Sequence, residues 1–222
     1  MYKINFHAHS YFSDGHNSIA EMALRCKQLG FSCCVITDHV YTKDPERGDS
    51  LSLNIRKYEM QIAEAAAISE LSNYPIIVGG EVGVVGLEEV VVIGEDAIKH
   101  LLEVREERRI EIRDMQYIRS NFKCACFLCH PVEPENFIIH KGLSIIDGYE
   151  LCNSGHSMFS RRDNPLKDYK LVELCNSDAH HTDCLIIGYN EIEQNLISES
   201  DIIKWLRGKN RVTRMQLRGS AL

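Results

Sequence analysis

No stretch of this 222-residue sequence approaches the roughly 20 consecutive apolar residues that a membrane-spanning helix needs. The start is too polar for a secretory leader, with Lys3, Asn5, His7 and His9 in its first residues. Both absences lead us to expect a cytoplasmic protein with no membrane partner. Positive charge is also short: 25 Lys and Arg stand against 32 Asp and Glu, a formal net charge of -7. A general duplex-binding surface needs an excess of Lys and Arg to displace counterions. Duplex nucleic acid is therefore not an expected partner, whereas a small phosphate-bearing substrate is. Repeats, low-complexity tracts and linkers are missing too. With 44% hydrophobic residues over this length, a single domain spanning 1–222 is the expectation.

A disulfide framework is equally lacking. The nine cysteines are an odd number scattered through apolar runs such as "FSCCVIT" and "KCACFLCH", which suits free thiols in a reducing compartment. Cys126 and Cys129 form a C-x-x-C, but no second such pair lies at zinc-ribbon spacing, so they read as small buried hydrophobes.

What is present is an alternation of strand-length apolar runs with helical patterns, the mark of parallel strands covered by helices. "KINFHAH" reads as the first strand. In "NSIAEMALRCKQLG", Ser18 and Glu21 make a capping box and Gly30 supplies a stop, predicting a helix from about 19 to 29. "FSCCVITDH", "YPIIVGGEVGV", "EVVVIG", "CACFLCH", "IDGYELCN" and "LVELCNSDAH" follow as strands. Helices are expected over Asn54–Ser72, within the Glu- and Arg-rich stretch Ala97–Asn121, and over Glu199–Arg207. About seven β/α units predict a distorted (β/α)7 barrel with the site at the C-terminal rim of its strands, an open α/β sheet being the alternative.

Side chains alternate faces along a strand, so Asn5, His7 and His9 share one face of "KINFHAH" and Ile4, Phe6 and Ala8 the other. If the apolar face meets the helices, both histidines point into the mouth. Alone, an H-x-H is a weak signal. Four more strand ends repeat the theme, however: "VITDH" delivers Asp38 and His39, "IIVGGE" Glu81, "CFLCHP" His130, and "ELCNSDAH" Asp178 and His180. Strand ends converge on one face of a barrel, so these groups would meet in space. So many clustered carboxylates and imidazoles carry a large desolvation cost that cations offset. Mixed nitrogen and oxygen ligands without thiolate suit zinc, manganese or iron better than magnesium or calcium. Glu81 could bridge two ions.

In order along the chain, "HAHSYFSDG", "ITDH", the isolated Glu81, "CHP" and "NSDAHHTDCLIIG" resemble the motifs of the PHP family, named for the polymerase and histidinol phosphatase domains. The resemblance implies a distorted barrel of seven strands, two or three divalent metal ions at its rim, and phosphoesterase activity. Carried over, His7, His9, Glu81 and Asp178 look like one metal site, Asp14, His39 and His180 like another, and Glu81 with His130 like part of a third. The family usually has a further histidine where this chain has Val91, which cannot bind a metal. Glu89, on the same strand face, is a candidate to stand in for it. Asp14 in the first motif is similar to members acting on nucleotides or short oligonucleotides. Asp38 reads as a catalytic helper that orients a ligand histidine or assists proton transfer, and His180 as a ligand that also serves catalysis. Glu150 and Asn153 lie toward the same rim and read as packing and hydrogen-bonding residues. His156, Arg161 and Arg162 in "HSMFSRRDN" are candidate phosphate-binding residues.

Three functions are consistent with these residues. The first is a phosphoric ester hydrolase acting on a small phosphomonoester, a nucleotide or a short oligonucleotide through a metal-bound hydroxide. The second is an amidohydrolase-like hydrolase, which usually needs a lysine at a middle strand end, and none sits suitably here. The third is a non-catalytic module of the same fold, for which Val91 is the main argument.

Overall fold

The computed structural model describes residues 1–41, 51–131, 142–153, 165–208 and 213–217 of the chain. His156, Arg161 and Arg162 lie outside the described residues. Among the described residues, no helix is long and apolar enough to cross a membrane.

The strands are β1 (Tyr2–Ile4), β2 (Cys34–Ile36), β3 (His39–Val40), β4 (Ile76–Val78), β5 (Gly80–Val82), β6 (Val90–Ile93), β7 (Ala125–Leu128), β8 (Gly148–Asn153), β9 (Val172–Asn176), β10 (Gly188–Ile192) and β11 (Thr213–Leu217). The α-helices are α1 (Ile19–Gln28), α2 (Ile55–Ser72), α3 (Glu95–Glu107), α4 (Ile112–Asn121) and α5 (Glu199–Arg207). They make a mixed α/β fold with three sheets. The largest runs β3-β5-β6-β7-β8-β9, a second pairs β2 with β4, and the third runs β1-β10-β11.

Two features depart from the expected succession of parallel β/α units. First, β6 pairs antiparallel with both β5 and β7. Only a short loop separates β5 from β6, which leaves no room for the crossover that a parallel neighbour requires. Second, β10 and β11 form an antiparallel pair that adds to β1. The hydrogen-bonded ladders form separate sheets, not one closed barrel. Single bridges lie between them: Ala8 pairs with Ala179 and Lys3 with Phe31, both parallel. The Thr37 amide donates to the Ala8 carbonyl at 2.8 Å and the His9 amide to the Ala179 carbonyl at 2.9 Å.

The helices form where their ends are chemically marked. Ser18 accepts from the Glu21 amide while the Glu21 carboxylate reaches back to the Ser18 amide, starting α1 as the sequence predicts. The stretch 97–121 divides into two helices because Ile110 is fully buried between them and Glu111 and Asp114 open α4 with a capping box.

The strand alternation expected for "KINFHAH" holds for His7 and His9, which face the candidate site together, and for Ile4 and Phe6, which share an apolar layer, but not for Ala8. Regular pairing of β1 ends at Ile4, and the amide of Phe6 donates to the side chain of Asn176. Asn5 Nδ2 donates to Ser177 Oγ at 2.7 Å, across 172 positions of sequence. Ile4 and Phe6 therefore turn away from the outer helices α1 to α4 and join an apolar layer with Val91, Phe127, Cys129 and Leu174. Trp205 of α5 closes that layer, stacked on Phe6 at 5.6 Å. Ala8 instead packs toward α1 with Met22 and Ala23. The layer abuts the candidate site at Cys129 and at Val91, whose register partner is Glu81.

Candidate metal centre

His7, His9, Asp14, His39, Glu81, His130, Asp178 and His180 converge, although separate segments from across the chain carry them, Asp14 on a turn and the others in or after strands. Three groups have donor atoms within 4.8 Å of one another: His7, His9 and Asp178; His9, Asp14, His39 and His180; and His7, Glu81, Cys129 and His130. His7 and His9 are fully buried, with their Nε2 atoms 3.1 Å apart and facing Asp178 Oδ1 at 3.4 and 3.0 Å. Glu81, also fully buried, divides its oxygens. Oε1 lies 3.4 Å from His7 Nε2 and 2.9 Å from His130 Nε2, while Oε2 lies 3.5 Å from His9 Nε2 and 2.8 Å from His39 Nδ1. Asp14 sits between His39 and His180, with 3.3 Å to the Nε2 of each.

The backbone is distorted where these side chains are delivered. His130 and Asp178 have φ of 24° and 49°, in the left-handed region that non-glycine residues seldom occupy. Such strain persists only where neighbours hold it and is concentrated at functional sites. For His130 the neighbour is Glu150, whose Oε2 accepts from the His130 amide at 2.8 Å. Glu150 Oε1 accepts from His7 Nδ1 at 2.9 Å, and the side-chain amides of Asn153 and Asn176 donate to the same carboxylate at 2.7 and 2.8 Å. A proton on Nδ1 leaves the His7 Nε2 lone pair for the cluster.

Asp38 is buried beside the cluster and accepts from the Ser10 amide at 2.7 Å, from the hydroxyls of Ser10 and Ser13, and from the Gln61 side chain. It thereby ties down the turn that presents Asp14. In the same turn, a Cβ on Gly15 would lie 2.6 Å from the His9 carbonyl carbon, so only glycine lets the chain pass this close. His180 donates from Nδ1 to the Asp178 carbonyl at 3.0 Å, which turns Nε2 toward Asp14. Its side chain is 32% exposed, the most open of the donors, and places it at the mouth.

Charge follows the geometry. Burial would lower the His7 pKa, but Glu81, Asp178 and Glu150 outweigh it and raise it well above the usual imidazole value. Burial, joined by the charges of His39 and His7, lowers that of His9. Burial alone would raise the carboxyls of Glu81, Asp178 and Glu150, yet the charge of His7 heads the effects that hold all three below the usual range. Burial raises Asp38. Burial, followed by the negative charges of Glu81 and Glu150, pushes the Cys129 thiol well up.

These residues fit divalent ions by their donor chemistry. His9 Nδ1, His39 Nδ1 and Glu81 Oε2 are buried without a hydrogen-bond partner, and the last two stand 2.8 Å apart without hydrogen-bond alignment. Buried polar atoms left so are costly, and donor atoms that converge without bonding to one another suit a shared cation.

The sequence reading did not single out Cys129 as a donor, nor His7 and His9 as members of more than one group. Cys129 directly precedes His130 at a strand end, and that position was the available signal. Val91 is fully buried and apolar, and Glu89 Oε2 lies 3.6 Å from His130 Nε2.

A family model described as the PHP domain matches residues 5–187. No protein of curated function matches the sequence. Among solved structures, a two-domain protein from Bacteroides vulgatus ATCC 8482, containing a predicted PHP-like metal-dependent phosphoesterase, is similar at 16% identity and a TM-score of 0.64. That match covers 96% of this chain and 64% of the other. The lesion-specific endonuclease Q of Pyrococcus furiosus is 15% identical with a TM-score of 0.59, covering 94% of this chain and 56% of its own. An Endonuclease Q complex with a 27-mer duplex substrate bearing an abasic lesion is 17% identical with a TM-score of 0.60, covering 95% and 57%. This chain thus spans less than two thirds of each of these proteins, and at such identities the likeness is one of fold. The exclusion of duplex nucleic acid read from net charge finds no support, since a protein of this fold holds a duplex.

Proposed function

The chain belongs to the PHP domain family, and from that membership we propose that it is a metal-dependent phosphoesterase cleaving a small phosphomonoester, a nucleotide or a short oligonucleotide. The observation that carries this reading is the division of Glu81, with one oxygen toward His7 and His130 and the other toward His9 and His39. A carboxylate so placed suits two neighbouring ions. Divalent zinc, manganese or iron, bound there, would supply an activated water and neutralise charge on the attacking and leaving oxygens of the ester.

The chain's own residues would do the rest. We assign His7, His9, Asp14, His39, Glu81, His130, Asp178 and His180 to holding ions. Asp38, bound to Ser10 and Ser13, is a positioning residue for Asp14. His180, at the mouth, is the protein group we place nearest the ester, and its Nδ1 proton stays fixed on the Asp178 carbonyl. His156, Arg161 and Arg162 remain our candidates for grasping the phosphate. We further read the separate sheets, through the Ala8–Ala179 and Lys3–Phe31 bridges, as a distorted seven-stranded barrel, and 1–222 as one domain.

Val91 favours a second reading, a module that keeps the fold without turnover. Metal content by elemental mass spectrometry, followed by phosphate release from a panel of esters, separates the two. Two or more ions per chain, with turnover lost in His9→Ala and Asp178→Ala at unchanged far-UV circular dichroism, is the expected result. Retained turnover in those variants would overturn the proposal, and bound metal with no hydrolysis of any ester would favour the module.

A further inference from the structure

The group formed by His7, Glu81 and His130 contains a sulfur donor that the mixed nitrogen and oxygen reading of the sequence left out. Cys129 is fully buried, and its Sγ lies within 4.8 Å of donor atoms of all three partners. Backbone pairing explains how it arrives there. Val90 pairs with Leu128 and Val91 with Phe127 in the antiparallel β6–β7 ladder, and the Cys129 amide donates to the Glu89 carbonyl at 3.0 Å. Glu89 is therefore opposite Cys129, one step beyond Val91 on the same face. Val91 is spent on the apolar layer, so this side of the cluster receives its donors from the next rung. Of the two residues there, Glu89 lies toward the mouth, its carboxylate 27% exposed and 3.6 Å from His130 Nε2, whereas Cys129 is sealed against the cluster.

We propose that Cys129 is a metal ligand, completing with His7, Glu81 and His130 a site of mixed nitrogen, oxygen and sulfur donors. The proposal rests on the metal-centre reading above and deepens it by naming the class of ion. Binding forms a sulfur–metal bond, with the thiol proton passing to solvent. A thiolate among imidazole and carboxylate selects zinc or ferrous iron over magnesium, calcium or manganese. A buried cysteine with no such role would be a packing residue, and the convergence of Sγ with fully buried Glu81 and His7 argues against that.

The test is titration of the metal-free full chain with cobalt(II), reading sulfur-to-cobalt charge-transfer absorption in the near ultraviolet and ions bound per chain. The proposal expects the band in the unsubstituted protein and its loss in Cys129→Ala and Cys129→Ser, with affinity for one equivalent falling at least about tenfold and the remaining equivalents kept. Near-UV circular dichroism of the metal-free variants checks the fold, and Cys129→Ser preserves side-chain volume should alanine disturb the layer. Glu89→Gln should keep the band. Cobalt bound without the band, or a band that survives in both cysteine variants, overturns the proposal and leaves the metal centre standing. No cobalt bound at all overturns both.

Discussion

Glu150 holds His7 by its ring: Oε1 accepts from Nδ1 at 2.9 Å, and the carboxylate's other oxygen secures the strained His130 amide at 2.8 Å. One buried carboxylate on β8 thus orients two donors brought in by other parts of the chain. Groups that orient metal-binding histidines typically contribute 10–100-fold to metal affinity. We expect Glu150→Gln, which offers one acceptor oxygen in place of two, to weaken metal binding by about 10-fold or more, read by competition with a chromophoric chelator. Unchanged affinity would show that the backbone alone fixes His7.

Metal should stabilise the fold by mass action. At a free concentration about 100 times the dissociation constant, an ion that binds only the folded chain adds about 2.7 kcal/mol. For a domain of this size that raises the unfolding midpoint by roughly 5–10 °C. Calorimetry with and without chelator measures it, and coincident midpoints would count against a metal centre in the folded protein.

The metal-free protein should lose stability as pH rises. Burial would lower the His39 pKa from its ordinary 6.5, but Asp14 and Glu81 outweigh it and raise it to about 10. A raised folded-state pKa stabilises fully below the unfolded value and is lost as pH climbs through the folded one. The midpoint of the metal-free chain should therefore fall between about pH 6.5 and 10, since the His39 partners Asp14 and Glu81 are, despite burial, both held below the usual carboxylate range by neighbouring histidines. Metal displaces the same protons, so its uptake should release acid, measurable by calorimetry in buffers of different ionisation enthalpy. A flat profile for the metal-free chain would contradict the ion pairing described for His39.

Gly15→Ala should disturb the Asp14 side of the cluster selectively. The new Cβ meets the backbone of His9 and Ser10 at 2.6 to 2.7 Å, and no flexible side chain is there to yield. Overpacking of this kind costs about 1–3 kcal/mol. We expect a lowered midpoint and weakened binding of one ion, read by thermal melting and metal titration. A variant that melts and loads like the parent would show that the turn relaxes freely.

Much of the centre was legible in the sequence because most donors end an apolar run, Asp14 in its turn being the exception, and a run's end is visible without knowing its neighbours. His7, Glu81 and Asp178 were found that way. The capping box of Ser18 and Glu21 is local chemistry and was equally plain. Pairing direction was legible only in part: the few residues between "YPIIVGGEVGV" and "EVVVIG" leave no room for a parallel crossover, but they do not show which strand lies on the other side of "EVVVIG". The β6–β7 register is set by residues more than thirty positions apart, so the opposition of Glu89 and Cys129 stayed hidden. Ala8 alone departed from simple alternation, in a stretch where the Phe6 amide donates to the Asn176 side chain and the Ser177 amide to the Asn5 side chain in place of a regular ladder. Cys129 was read as a small hydrophobe, which its burial bears out, and its neighbours are what give it a second character.

The bond from Asn5 to Ser177 spans 172 positions, and it bears on how the protein is made. During synthesis the chain emerges amino terminus first, so His7 and His9 leave the ribosome long before Asp178 exists. Contacts of such sequence separation form late and slowly. A nascent chain stalled before Ser177 holds six of the eight donors but lacks Asp178 and His180, which complete the groups around His9. Full loading of the centre therefore waits until the chain has passed His180.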